Sequence, residues 1–468
     1  MSRSGWWGGE SGDPSEIPSE RVRTPQPLVR RRMPSGRGAT EQPNAAGDGP
    51  AALTGRFWVA LVLTGVASGL LGAGLMAFLF AVQHATFGYH AGDFEHAVER
   101  VGDVRRIVPL VVAGAVAGPL WYLLRRATPG ESADVDDEVW RGKARLSVRR
   151  CLGTGILSEI VVGMGASLGR EQAPRVMGAA SGSVLAGRFG LSTEQRRLLV
   201  ACGAGAGLGA VYNVPLGGAL YTVEVMLGSL TLPTVLPPLA CSMIATATAW
   251  IYLPTSATYA GVPTYHFSGT VMAFALVGGP LFGLAASAYI RLIGWVSHHR
   301  VTGAATTVAP LLAFSVLGVI GFRYPQLFGN GKDLAHDVFV GHGTLLLLLA
   351  LAALKPLVTA LCLQSGASGG LFTPTLSTGA ALGGFLGLAW SHLWGGGPVG
   401  AFAMIGASAT IGASMQAPLA GLVLVLELTH SGFSIMVPMI AATVIATVVA
   451  RHVDGYSIYS ARLPAPRP

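Results

Sequence analysis

Gly203–Val225, GAGAGLGAVYNVPLGGALYTVEV, and Gly406–Leu428, GASATIGASMQAPLAGLVLVLEL, align without a gap. Pro418 follows Pro215 by 203 positions, and Gly203, Ala204, Ala206, Gly209, Ala210, Pro215, Leu216, Gly218 and Glu224 all recur identically in the second copy. Apolar helices resemble one another by composition, but an ordered Pro-Leu-x-Gly followed by an acid six residues on needs more than composition. Duplication explains it. Duplicated apolar halves are a common plan of secondary transporters, whose binding sites lie near the bilayer midplane where broken helices from both halves aim their N-termini at anionic ligands. The repeat therefore predicts one broken, Gly/Pro-marked segment in each half.

Such a pair exists. Gly169-Arg170-Glu171-Gln172-Ala173-Pro174 stands in the first half and Gly369-Gly370-Leu371-Phe372-Thr373-Pro374 in the second, each after a run of small residues and before a helical pattern. Proline within a helix's first turn forfeits no hydrogen bond, and glycine before it lets the free N–H groups turn toward a ligand. Dipoles at two such ends can hold an anion without a cage of full positive charges.

The solvent for this arrangement is lipid. Of the 468 residues 51% are hydrophobic and only 12% charged, with a mean hydropathy of +0.54, far from the mixture of a soluble domain. Roughly ten to a dozen apolar stretches long enough to cross or re-enter a ~30 Å hydrocarbon layer run from Trp58 to Ala450. The 65 glycines allow close helix packing and permit breaks, which membrane proteins tolerate where protein or a water-filled cavity satisfies the freed amides. The formal charge of +8 fits positive cytoplasmic loops rather than nucleic acid, for which no basic fold outside the membrane is evident. Cys151, Cys202, Cys241 and Cys362 show no CxxC spacing and read as buried small hydrophobes.

Residues 1–54 differ from the rest. Pro, Gly, Ser and Arg dominate, and Arg21, Arg23, Arg30, Arg31, Arg32 and Arg37 cluster without an intervening acid, which reads as a disordered cytoplasmic tail signalling topology. No apolar h-region follows the first basic residues until Phe57, which argues against a cleaved signal peptide. A transmembrane domain is expected over 55–463, its halves roughly 55–253 and 270–463, with no C-terminal soluble domain.

The motifs resemble those of the CLC chloride channels and chloride/proton exchangers. GREQAP is similar to that family's G-K/R-E-G-P element, GGLFTP within SGASGGLFTPTLSTGA to its second pore motif, and YNVPLGGALYTVEV, MQAPLAGLVLVLEL and IYSARL to three further segments, in the expected order over 56–465. The resemblance implies an all-α polytopic membrane protein with the CLC-type inverted repeat of two related halves, broken and re-entrant helices, and a homodimer with one pore per subunit in the cell membrane. It implies that Glu171 is the gating glutamate, able to occupy an anion site and swing aside when protonated or displaced. The backbone N–H groups of Leu371 and Phe372 and the hydroxyl of Tyr459 would face the central anion. The implied site also takes in Gly169, Arg170, Gln172 and Gly370. Read alone, Glu171 could equally be a satisfied buried acid beside Arg170, Phe372 core packing and Tyr459 an interfacial anchor.

Two positions depart from the family pattern. The gapless frame puts the first pore motif on Pro129-Gly130-Glu131-Ser132-Ala133, so its anion-selecting serine falls on Gly130, while a small shift puts Ser132 there instead. Glu131 reads as a cap of the helix continuing through Asp134 and Asp136. The second departure is Val225, where exchangers of the family carry a glutamate that admits protons from the cytoplasm. Valine cannot transfer a proton. Glu224 and Glu427, at equivalent repeat positions, read as structural acids serving backbone groups. Lys355 reads as an anion attractor or a snorkelling side chain, and His298-His299-Arg300 as a helix end without metal spacing.

The expectation is therefore a protein of membrane lipid that passes small inorganic anions, chloride foremost, through a pore gated by Glu171. Passive conduction is the first reading, because of Val225; a proton-coupled exchanger with a non-standard proton path is the alternative. Fluoride-specific members of the family generally lack the tyrosine that Tyr459 matches. No cofactor or metal is expected, and no enzyme: Glu171 has no acidic partner within a helical turn, and no serine near it has an adjacent histidine.

Overall fold

The computed structural model describes residues 53–89 and 93–463. Apart from its last two residues, the expected tail lies outside the described residues. Among the described residues nine helices precede the 250–268 connection: α1 (Gly55–Phe87), α2 (Phe94–Arg100), α3 (Asp103–Ala127), α4 (Val135–Trp140), α5 (Val148–Gly163), α6 (Gln172–Arg188), α7 (Thr193–Tyr212), α8 (Pro215–Tyr221) and α9 (Leu232–Ala249). Eight follow it: α10 (Gly269–His298), α11 (Ala309–Ile320), α12 (Lys332–Phe339), α13 (Leu345–Gln364), α14 (Phe372–Trp394), α15 (Val399–Met415), α16 (Pro418–Thr429) and α17 (Met436–Val453). No strand forms among the described residues.

Among the described residues six helices are long and apolar enough to cross a membrane: α1, α3, α9, α10, α13, and α17 with the 3-10 turn before it. α1 is held at its start by Thr54, whose hydroxyl accepts from Phe57 N, and is ended by Gly88 in the left-handed region. Its 33 residues measure roughly 50 Å, well beyond a ~30 Å hydrocarbon layer, so it must tilt. α7 and α15 are buried on all sides through most of their length, which is why their sequences are small and apolar all round rather than amphipathic.

The repeat seen in sequence is a repeat in structure. α7 and α15 both end in a left-handed residue, Asn213 and Gln416, each at φ 56°. α6 crosses α7, and α14 crosses α15, at glycines: a Cβ on Gly178 would overlap the carbonyl of Gly203, and one on Gly379 would lie 2.7 Å from that of Gly406. The halves then exchange caps. Glu224 accepts from Leu419 N (3.3 Å) and Ala420 N (2.6 Å) at the start of α16, and Glu427 accepts from Leu216 N (3.1 Å) and Gly217 N (2.5 Å) at the start of α8. Each acid meets the N-terminal dipole of the other half's helix.

Basic residues gather at one end of the bundle. Arg125 and Arg126 close α3, Arg149 and Arg150 open α5, and Arg196 and Arg197 open α7. Arg197 donates to Gly142 O in the loop that leads into α5. The positive-inside rule assigns this end to the cytoplasm. Lys355 does not snorkel: it is fully buried and donates to Leu327 O (3.1 Å) and Gly329 O (2.9 Å), pinning the loop before α12.

Candidate functional site

The two broken segments meet face to face. Gly169 and Gly370 exchange both backbone hydrogen bonds at 2.8 Å in an isolated antiparallel bridge. This contact brings the start of α6 to the start of α14. Neither glycine has room for a side chain, because a Cβ on either one would overlap the Glu171 carboxylate.

That carboxylate is 3% exposed and sits at the mouth of α14. Its Oε1 accepts from Phe372 N at 2.8 Å, and its Oε2 accepts from the hydroxyls of Tyr212 and Thr373, each at 3.1 Å. Tyr212 and Thr373 are themselves 2.5 Å apart, and the Tyr212 ring packs on that of Phe372. One backbone amide and two hydroxyls thus converge on one negative group. Such a set of donors suits a small anion as well as a carboxylate.

Two cavities flank this point. One, of about 260 Å³, is lined by Phe80, Gln83, Tyr89, Arg170, Lys332 and Asp333 among others. The Arg170 guanidinium lies over the rings of Tyr212 (5.0 Å) and Phe80 (6.0 Å). The other, of about 250 Å³, opens among the cytoplasmic-end arginines and is lined by Ser132, Gln172, Arg125, Arg150, Arg175, Arg300 and Arg462, with Glu131, Asp134 and Asp136. Arg170 lines the first and Gln172 the second. Glu171, between them in sequence, stands between them in space.

In the arginine-lined cavity Arg175 is buried and paired with Asp136 (3.0 and 3.1 Å), donates to the Tyr221 hydroxyl (2.5 Å), and lies over the Tyr459 ring (5.4 Å). The other four arginines have no ion-pair partner among the described carboxylates. Arg300 donates to Gly366 O and Ala367 O, and Arg125 also donates to Gly366 O, so two guanidiniums are drawn together just before the second broken segment. Burial, and then the charges of Arg125 and Arg462, push the Arg300 guanidinium down from its ordinary value. Like charges crowded in this way attract an anion. His298-His299-Arg300 is indeed a helix end, and its arginine also belongs to the cavity.

The two candidate positions of the first motif lie in different surroundings. Gly130 is an exposed turn at φ 72° with open space around it and lines neither cavity, whereas Ser132 lines the arginine-rich cavity with Gln172. A turn at positive φ favours glycine for its backbone, not for a ligand. Glu131 does not cap α4: Asp134 does, accepting from Asp137 N, and Glu131 accepts from the Ser147 hydroxyl. Leu371 is the buried residue just before α14. Tyr459 lies against Tyr221 and Arg175 rather than on Glu171. Val225 is buried in a π-helical turn, Thr222–Leu227, and lines neither cavity. The roles of Tyr212, Thr373 and the Arg175–Asp136 pair are not evident from sequence, although Tyr212 and Thr373 stand inside quoted motifs and Arg175 directly after one.

Residues 113–451 match the family described as voltage gated chloride channel. The chain belongs to the voltage gated chloride channel family. It is 31% identical over 371 residues to a ClcB-like protein of Ralstonia nicotianae, covering 77% of this chain and 85% of that one. It is 32% identical over 314 residues to a protein of Yersinia pestis described as the H(+)/Cl(-) exchange transporter ClcA, covering 64% and 65%. In fold it is similar to a slow cyanobacterial Cl-/H+ antiporter, with a TM-score of 0.74 at 24% identity over 87% of this chain and 97% of that one. Members of the family carry anions across membranes, and this chain is an integral protein of the cell membrane. Its fold is the family's all-helical inverted repeat.

Proposed function

We propose that this protein exchanges a small anion, chloride first, for protons, with Glu171 as the gate. The observation that carries the reading is the placement of the Glu171 carboxylate: a titratable negative group fills the three-donor pocket between the two cavities. Ionised, it competes with a halide for Phe372 N, Tyr212 and Thr373; protonated, it surrenders them. One side chain thereby links a proton to an anion. On this reading Ser132, Gln172 and Tyr459 serve the anion on the cytoplasmic side of Glu171, with Arg170 on the other side, and Leu371 presents its amide beside that of Phe372.

A relative described as an H(+)/Cl(-) exchange transporter supports exchange. Passive conduction is the second reading, favoured by Val225 and by a 27% identical Salmonella typhi relative described as a voltage-gated chloride channel. Chloride-loaded liposomes carrying the purified protein, followed with chloride and pH electrodes together, separate the two. Exchange predicts uphill proton movement driven by a chloride gradient; chloride flux with no proton movement overturns it. A homodimer with one pathway per subunit belongs to the same proposal, and light scattering of the detergent-solubilised protein tests it, a one-chain mass being the contrary result.

A further inference from the structure

We propose that Glu159 is a proton relay between the arginine-lined cavity and Glu171. The inference rests on the exchange reading above and supplies what Val225 withholds, an internal acid that can serve the gate.

Glu159 is the only acid between Glu138 and Glu171. It lies on α5, is 0% exposed, and neither carboxyl oxygen has a hydrogen-bond partner. The Ser158 hydroxyl next to it is likewise buried and unpartnered. By contrast, the buried Asp136 holds Arg175, and the half-buried Glu224 and Glu427 cap helices. Glu159 holds nothing in place. An isolated ionised carboxylate is costly in such surroundings, and a carboxylic acid kept inside a membrane protein without a structural partner is suited to carrying a proton.

Its position fits the task. α5 runs from one cavity to the other: Arg150 and Thr154 line the arginine-rich cavity and Val162 lines the opposite one. Glu159 is five residues from Thr154 and three from Val162, roughly 7.5 Å and 4.5 Å along the helix axis. Gly155 and Gly163, one turn to either side on the same face, pack on Ala173 at the start of α6 and on Val82 of α1. Glu159 therefore lies on the face of α5 that packs between α1 and the start of α6, the segment that carries the gate. The charged groups that act on it are Arg170 and Glu171; α3 and α1, which also pack on α5, meet it through Leu124, Leu79 and Val82.

Neither Glu159 oxygen touches Glu171 directly, so in the transfer the O–H of protonated Glu159 breaks as its proton passes to a bridging water, which gives up a proton to form an O–H on the Glu171 carboxylate, and the negative charge passes to Glu159. Glu159 then takes a proton from water of the arginine-lined cavity. The proton thus travels beside the anion pathway rather than through its guanidiniums.

The test compares unsubstituted protein, Glu159→Gln and Glu159→Asp in liposomes, reading chloride and proton fluxes together. Glu159→Gln is expected to lower proton flux about tenfold or more while chloride flux stays within about threefold, and Glu159→Asp to keep coupling at a reduced rate. A proton-to-chloride ratio unchanged in Glu159→Gln overturns the relay and leaves exchange standing; unsubstituted protein that moves chloride without protons overturns both. If the glutamine variant does not assemble, the aspartate variant decides: proton flux slowed more than chloride flux supports the relay, and equal slowing overturns it.

Discussion

Glu171 receives one backbone and two hydroxyl donors, and the hydroxyl donors should be separable by substitution. Glu171→Gln keeps the shape but cannot ionise, so chloride flux should persist without its pH dependence and proton movement should vanish in the paired-electrode assay. Tyr212→Phe removes one donor to Oε2 and leaves Thr373. A hydrogen bond to a charged group contributes about 1.5–3 kcal/mol, and the weaker hold should open the gate more often, raising chloride efflux near neutral pH severalfold. Efflux unchanged by this substitution assigns Tyr212 to packing alone. The two residues also mark what sequence reading reaches. Glu171 announces itself by standing charged in a Gly/Pro-marked break, whereas Tyr212 and Thr373 reach it from 41 and 202 positions away, through a contact that no local pattern encodes. Glu159 was readable in principle, as a single acid within GILSEIVVG, but only the packing of α5 on α6 gives it an address.

Helix ends hold the two halves together. Because Glu224 and Glu427 each cap the other half's proline-started helix, Glu224→Ala and Glu427→Ala should destabilise the protein to similar extents, about 1–2 kcal/mol each, read as a drop in the detergent-solubilised protein's melting temperature. A large effect at one and none at the other would break the structural equivalence of the repeats. The repeat and both acids were legible because a 203-position offset carries the pattern intact, including the left-handed turns at Asn213 and Gln416. The first pore motif was not legible, since Gly130 and Ser132 both fit it in sequence, and that Gly130 stands in an exposed turn while Ser132 lines the arginine-rich cavity shows only in the fold. Lys355 shows the same limit: a lysine in an apolar run has several uses, and only the carbonyls of Leu327 and Gly329 decide among them.

At the scale of the molecule, two cavities of similar size differ in charge, and the difference gives the pathway a direction. Five arginines against three acids line the cytoplasmic-end cavity, with one pair, Arg175–Asp136, neutralised internally. The remaining guanidiniums raise the local anion concentration in a cleft walled by low-dielectric helices. Arg462 tests this with least structural disturbance, because Arg125, Arg150 and Arg300 also hold backbone or side-chain groups in place. Arg462→Gln should slow chloride uptake from the cytoplasmic side while leaving thermal stability unchanged. Long-range attraction is screened over a Debye length of about 10 Å at 0.1 M salt and about 3 Å at 1 M. The gap between variant and unsubstituted protein should accordingly narrow as ionic strength rises at constant chloride. A deficit that persists at high salt would mean that Arg462 touches the anion directly rather than drawing it in, making it part of the binding site.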